Sequence, residues 1–254
     1  MENRRRFEGK SAIITGAAGF IGSRIAKLFA SEGCSVVICD CDIEKATAVV
    51  DEISQSGGNA LAVQVNVKDW NDARMAVAKT IEAYQKVDIL VCVAGGSARE
   101  KMAYYMDQTE EVVMDIIGVN LFGALSFAHA AAKHMAERGS GYIQFIGSVL
   151  GTQGQRRQVE YSAAKGGVIT MTKSLAMEMG EFGVRVNCVS PGLVERDGKD
   201  VGSTNYLNRN CTGEEIANVV AFLASEEASF VTGQNYIVDG GWGIGVQHGV
   251  KPGR

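Results

Sequence analysis

Short apolar runs alternate with longer stretches of helical periodicity along the whole chain. The runs at 11–15, 35–40, 60–66, 88–94, 141–147, 184–190 and 234–238 read as strands. Helical patterns fall between them, at 20–32, 43–57, 69–85, 108–137, 159–181 and 213–225, and the fourth is expected to break near Gly118. Strand and helix in alternation predict an α/β fold, a seven-stranded parallel sheet with helices on both faces. The chain has no Pro- or Ser-rich linker, no internal repeat and two prolines, so 1–254 reads as one domain with short tails at 1–8 and 243–254.

The first strand, Lys10 to Thr15, runs into Thr15-Gly16-Ala17-Ala18-Gly19-Phe20-Ile21-Gly22. The following segment carries Ile21, Ile25, Leu28 and Phe29 on one apolar face. Strand, glycine-rich turn and helix in that order suit a dinucleotide. The glycines let the backbone approach a pyrophosphate, and the helix N-terminus attracts its charge. The second strand ends at Asp40, 18 residues after Gly22, where a carboxylate is placed to accept both hydroxyls of an adenosine ribose. Taken singly, the glycines fit an ordinary tight turn and Asp40 a solvated carboxylate. Together they favour the dinucleotide, and with it a doubly wound, Rossmann-type sheet.

Further along, Tyr161 and Lys165 stand four residues apart, with Ser148 lying 13 residues before the tyrosine. On a helix that spacing sets phenol and ammonium about 6 Å apart along one face. A free phenol, with a pKa near ~10, is a poor base at neutral pH, but an adjacent cation favours its phenolate. The Ser148 hydroxyl would then hold the oxygen of a substrate alcohol or carbonyl.

These pieces resemble the short-chain dehydrogenase/reductase family from about Gly9 to Trp242. The resemblance rests on the Thr15–Gly22 turn, Asp40, Val93-Ala94-Gly95, Asn120, Ser148, the Tyr161/Lys165 pair, Pro191-Gly192 and Val238-Asp239-Gly240-Gly241. It implies an oxidoreductase that interconverts a secondary alcohol and a ketone by hydride transfer. Tyr161 would be the general acid/base, Lys165 would lower its pKa and bind the nicotinamide ribose, and Ser148 would orient the substrate oxygen. Asn120 would hold a water in a proton relay behind Lys165; the alternative is an Asn bonded locally within its helix. Around the cofactor the resemblance places Gly16, Gly19, Ile21, Gly22, Asp40, Asn66, Val67, Ala94, Gly95, Gly192 and Val194, with Tyr161 and Lys165. Around the substrate it places Ser148, Gln155, Arg156 and Tyr161. Three departures stand out. Asn66 replaces an aspartate that accepts from the adenine amine, though its amide oxygen still suits that bond. Cys92 and Val93 replace two asparagines, and Arg196 replaces a threonine that contacts the cofactor.

Asp40 bears on the choice of cofactor. NADP carries a 2′-phosphate at the position Asp40 should contact, and two anions about 4 Å apart repel by roughly 4 kcal/mol at an effective dielectric of 20. The places where a compensating base would stand hold Ala18 and Cys41, and Arg24, one turn into the helix, is expected to point elsewhere. NAD is therefore expected. The stretch between Val194 and Thr212 is short for the family and rich in Gly, Asp and Asn. With Gln153, Gln155, Arg156, Arg157 and Arg99 it suggests a polar substrate, such as a sugar, polyol or hydroxy acid. A solvated loop tip explains the same residues. The rival enzymes are a 3-oxoacyl-thioester reductase, disfavoured by Asp40 because that reaction usually runs on NADPH, and a hydroxysteroid dehydrogenase. A non-catalytic NAD-binding sensor or scaffold is the rival of another class. Such proteins usually lose the tyrosine or lysine, and this chain has both.

Composition narrows the rest. At 254 residues the chain is long enough for a large α/β core. A net charge of −4 argues against nucleic acid, and Arg4, Arg5 and Arg6 read as a solvated tail. No apolar run is expected to approach the ~20 residues that span a bilayer, and no secretory signal opens the chain. The six cysteines form no C-x-x-C pair; Cys39 and Cys41 are expected on one side of their strand, without a metal. The protein is thus expected to be reduced and cytoplasmic. His129, His134 and His248 lie outside every motif. The family resemblance implies a homo-oligomer, a tetramer, paired through the helices of Asn120 and Tyr161 across a two-fold axis, and the sequence agrees in a limited way. Val168, Ile169, Met171, Leu175, Met177 and Met179 cover more of the second helix than one core stripe needs. The tail from Trp242 to Arg254 is expected to lie across a neighbouring subunit.

Overall fold

The structure, a computed structural model, describes residues 5–195 and 205–244. The expectations for Arg196, for most of the short polar stretch after Val194 and for the tail beyond Ile244 fall on residues outside that range.

Seven strands, β1 (Ser11–Thr15), β2 (Ser35–Asp40), β3 (Asn59–Gln64), β4 (Ile89–Cys92), β5 (Gly141–Ile146), β6 (Val184–Pro191) and β7 (Asn235–Val238), form one sheet in the order 3-2-1-4-5-6-7. Every pairing is parallel. The chain reverses its direction of travel across the sheet between β1 and β4, which opens a crevice at the carboxyl ends of those strands. Alternate residues of β1 to β6 feed two cores. Ile13, Val37, Leu90, Ile143 and Val186 face one layer of helices, and Ala12, Val36, Ile38, Val91 and Val189 face the other. Strands buried on both faces in this way have the near-continuous apolar character that marked them in the sequence.

On the first side lie α3 (Trp70–Tyr84), α5 (Gly123–Arg138) and α7 (Val159–Gly180), and on the second α1 (Phe20–Ser31), α2 (Ile43–Gln55) and α8 (Gly213–Ala224). Their starts carry local signals. Asp42, Asp69 and Thr109 accept from backbone N–H groups of the first turn, and Thr212 with Glu215 closes a capping box ahead of α8.

Four expectations are corrected. The predicted break near Gly118 is a widened turn: α4 (Glu110–Ile117) passes through a π-helical segment, Gly118–Phe122, straight into α5. That continuous helix, Glu110–Arg138, is long and apolar enough to cross a bilayer by length and composition, contrary to the expectation. Its inner face, Phe127, Ala128, Ala131 and Met135, is buried in the protein's own core. β4 stops at Cys92 because the next two N–H groups, of Val93 and Ala94, turn to Thr15 Oγ1 at 3.2 Å each. Finally, β2 ends at Asp40, so Cys39 is buried in the core while Cys41 lies exposed beyond the strand.

Candidate active site

The carboxyl ends of β1 to β6 meet at one cavity of about 970 Å³, large enough for a dinucleotide half-enclosed with a small substrate. At one end it is lined by Gly16, Gly19, Ile21, Gly22 and Asp40, and at the other by Ser148, Gln155, Tyr161 and Lys165, with Asn66, Val67, Ala94, Gly95, Gly192 and Val194 between. The topology thus gathers residues more than a hundred positions apart in sequence.

The glycine turn is tight against its neighbours. Gly16 has φ +63°, and a Cβ there would lie 2.7 Å from Ala94 Cα. A Cβ on Gly22 would overlap the Gly16 carbonyl oxygen and come within 2.8 Å of Ala17 Cα. This is a cradle that only missing side chains keep open, at the N-terminus of α1. Asp40 braces it: Oδ2 accepts from Ala18 N–H at 3.0 Å, and Oδ1 from Asp42 N–H at 3.2 Å. The residues therefore fit a dinucleotide, with Asp40 holding the turn as well as facing the cavity. Arg24 turns away from that end to stack on Phe20 and pair with Glu214 at 3.1 Å. Asn66 lines the cavity, but its Oδ1 accepts from Lys68 N–H at 3.1 Å, so the oxygen expected to serve adenine is already engaged in its own turn.

Past β6, the backbone groups flanking Val194 pair with Cys211: Cys211 N–H donates to Leu193 O at 3.0 Å and Glu195 N–H to Cys211 O at 2.9 Å. In a parallel bridge of this kind the N–H and C=O of Val194 itself point the opposite way, and Val194 lines the cavity.

At the other end Lys165 is buried, and its Nζ donates to Ile146 O at 2.7 Å. Burial lowers its pKa from the ordinary lysine value to about 8, against smaller opposing effects of Cys188 and Cys92. Nζ lies 5.8 Å from the Tyr161 ring centroid, one helical turn away along α7. Ser148 is buried at the end of β5, and its Oγ accepts from Leu150 N–H at 3.2 Å, at the start of the short helix α6 (Leu150–Gln153) that the periodicity missed. That leaves the hydroxyl proton to donate elsewhere.

Two expected residues are placed differently. Asn120 sits in the π-helical turn, fully buried, and does not line the cavity. Its Oδ1 accepts from Gly96 N–H at 3.1 Å, and its Nδ2 donates to Gly96 O at 3.0 Å and Ile116 O at 2.9 Å. The side-chain amide thus clamps the loop after β4, with one bond within its own helix, to Ile116 O, and two to Gly96. Arg156 also stands outside the cavity: its Nη2 donates to Tyr104 OH at 3.1 Å, while Arg157 stacks over the Tyr104 ring. Conversely, Met102, Val149, Leu150, Gln158, Leu193 and Trp242 line the cavity without having been singled out. Gln158 carried a signal, standing one helical turn before Tyr161. Trp242 is held there by Asp239, which accepts from Gly241 N–H at 2.8 Å and Gly243 N–H at 2.9 Å.

A doubly wound parallel sheet, a glycine cradle at its switch point and a Tyr–Lys pair across the same cavity define a nucleotide-dependent oxidoreductase. The family whose model matches residues 16–243 is described as enoyl-(acyl carrier protein) reductase. The chain is 36% identical over 244 residues to the 3-oxoacyl-[acyl-carrier-protein] reductase FabG of Escherichia coli, covering 92% of this chain and 98% of that one. It is 38% identical over 248 residues to the (2S)-[(R)-hydroxy(phenyl)methyl]succinyl-CoA dehydrogenase subunit BbsD of Thauera aromatica, covering 92% and 96%. A crystal structure of gox2181 superposes with a TM-score of 0.89 at 31% identity, covering 94% of this chain and 97% of that one. The chain belongs to the short-chain dehydrogenase/reductase family and is an oxidoreductase acting on a carbonyl or hydroxyl group with a nicotinamide cofactor.

Proposed function

We propose that the protein interconverts a 3-oxoacyl and a 3-hydroxyacyl thioester with NAD(H), and that it does so as a single catalytic domain. The observation that carries this reading is the shared cavity: Asp40 and the glycine cradle at one end, and Tyr161, Lys165 and Ser148 at the other. The substrate class draws on the relatives, which include acyl-thioester enzymes by name. It also draws on the cavity wall, where Met102, Val149, Leu150, Leu193 and Trp242 give an apolar surface. Of the residues expected around a polar, sugar-like substrate, Arg156 and Arg157 are turned to Tyr104, while Gln155 and Arg99 line the cavity.

The cofactor, when bound, exchanges a hydride with the substrate carbon. Tyr161 takes the proton of the 3-hydroxyl in oxidation and returns it in reduction. Ser148, its acceptor side engaged by Leu150, donates its hydroxyl proton to the same substrate oxygen. Lys165 is aimed by Ile146 O and has further N–H groups for the nicotinamide ribose; its charge favours the Tyr161 phenolate. Asn120 holds Gly96 in place through two hydrogen bonds, and it lies so close to Gly95 that a Cβ there would strike its Oδ1. NAD rather than NADP is supported by Asp40: among the described residues the nearby cation, Lys45, is paired with Asp42 at 2.7 Å, and the places for a compensating base hold Ala18 and Cys41. A 2′-phosphate there would meet a repulsion of roughly 4 kcal/mol.

The test is NADH or NADPH consumption with acetoacetyl-CoA, set beside a panel of sugars, polyols and steroid ketones. Expected are thioester turnover, a preference for NADH of about 100-fold or more, and a fall in kcat of about 10³ in Tyr161→Phe. Equal use of NADPH, or turnover confined to sugars, overturns the reading.

A homotetramer in the cytoplasm completes the proposal. Of the six apolar residues expected to exceed the needs of α7, Val168, Ile169 and Met179 are buried in the core, and Met177 is exposed. Met114, Phe122 and Leu125 on the adjoining helix are exposed as well, which supports a partner across this face. Light scattering that finds an active monomer at micromolar concentration removes this part.

A further inference from the structure

Arg99 stands apart from the other arginines. Five of those described hold carboxylates, Arg74 and Arg185 hold amide or carbonyl oxygens, and Arg156 and Arg157 embrace Tyr104. Among the described residues the Arg99 guanidinium alone donates to nothing and stacks on nothing, although Glu100 adjoins it in sequence. It also lines the cavity, where Lys165 is the one other cationic side chain described and Asp40, at the far end, the one carboxylate. Its position is built. Gly96 is clamped by Asn120, Ala98 takes a left-handed φ of +42°, and the turn Arg99–Lys101 follows. Arg99 is exposed to solvent on the cavity wall, and the left-handed non-glycine residue directly before it is the kind of local strain that gathers at ligand-binding sites.

We propose that Arg99 is a specificity-determining residue that receives an anionic group, a carboxylate or a phosphate, carried by the substrate at a distance from the reacting carbon. This deepens the thioester reading and rests on it for the rest of the substrate. A guanidinium pairs bidentately with either anion, and beside the apolar wall of Met102, Val149, Leu193 and Trp242 such a pair would orient the acyl chain as well as hold it. Two sources fit: a carboxylate ending the acyl chain, so that the substrate is a dicarboxylic acid monothioester, or a phosphate on the carrier arm.

The experiment has two parts, on the full chain and on its Arg99→Met and Arg99→Lys variants. First, glutarate and inorganic phosphate are titrated calorimetrically into protein saturated with NAD. Wild type is expected to bind at least one of them about 10- to 100-fold more tightly than Arg99→Met, with Arg99→Lys between. Second, kcat/KM is compared for a carboxylate-ended thioester (3-oxoadipyl-CoA), its methyl-ended counterpart (3-oxohexanoyl-CoA) and 3-oxohexanoyl-pantetheine. Loss in Arg99→Met of the preference for the first over the second, through KM, assigns the anion to the acyl chain. Loss of the preference for the second over the third assigns it to the carrier. If neither ratio moves more than twofold and both probes bind wild type and Arg99→Met alike, the proposal fails. It fails equally if Arg99→Met weakens NAD binding alone, which would make Arg99 a cofactor residue. Should no thioester turn over at all, the thioester reading falls while the titration still decides Arg99.

Discussion

The two ends of the cavity are built by different means. At the cofactor end the wall is backbone, and its shape depends on what is missing: the Cβ atoms of Gly16 and Gly22 would strike Ala94, Gly16 and Ala17. At the substrate end the wall is side chains on loops, held by bonds between distant segments such as Gln158 Nε2 to Met102 Sδ at 3.2 Å and Arg156 to Tyr104. Two non-glycine residues there, Ala98 and Arg157, adopt left-handed backbone. An end made of close backbone contacts admits almost no change, whereas an end made of latched loops can change its lining and keep its fold.

Glycine substitutions test that contrast most sharply. Gly22→Ala is expected to destabilise the protein by about 2 kcal/mol through overpacking and to weaken NAD binding about 100-fold or more by displacing the turn from the pyrophosphate. Gly96→Ala, in the loop at the other end, places its Cβ in open space with nothing within 4 Å, so thermal unfolding should not shift measurably. Equal tolerance at the two positions would erase the distinction.

Lys165 belongs to the substrate end, and its burial sets function against stability. Its ammonium is held with a pKa of about 8, below the ordinary value of 10.5. Below about pH 8 the folded and unfolded chains both carry the proton, and the buried charge costs the fold about 3 kcal/mol. Between pH 8 and 10.5 the unfolded chain binds more protons, so stability rises with pH and that cost fades. Lys165→Met should therefore lose activity yet gain about 1–2 kcal/mol at pH 7, part of the relief being offset by the unpaired Ile146 carbonyl. The gain should shrink by pH 10. Urea unfolding of the cofactor-free proteins at both pH values measures it, and a destabilised Lys165→Met at pH 7 contradicts the account.

The smallest effect belongs to the latch. Tyr104→Ala removes an exposed cation–π contact and one hydrogen bond, and should raise substrate KM about two- to fivefold with kcat nearly constant. A loss in kcat instead would tie Tyr104 to the chemistry.

The same contrast explains what the sequence could disclose. Gly16, Gly19, Gly22 and Asp40 are legible because a strand, a turn and a helix set their geometry within one continuous segment. Tyr161 and Lys165 are legible because a helix fixes their spacing. Arg156 misled because its partner, Tyr104, is 52 residues away and nothing in the local pattern announces it. Trp242 and Met102 went unseen for the same reason, since they reach the cavity through Asp239 and Gln158. The pattern at 108–137 predicts a break because a glycine in a helical pattern signals an end more often than a change of pitch.

That change of pitch bears on how the protein can change over generations. The turn Gly118–Phe122 holds one residue more than an α-helix would use over the same rise, and Asn120 stands at its centre with one bond to Ile116 O and two to Gly96. No exchange of one amino acid for another removes a surplus residue; only a deletion does. Such a deletion would turn everything on one side of it by about 100° relative to the other, and Asn120 could no longer reach both partners. The helix is therefore locked in length at this point, while the exposed loops around Arg99 and Tyr104 stay open to variation. New substrates would be gained there, one side chain at a time.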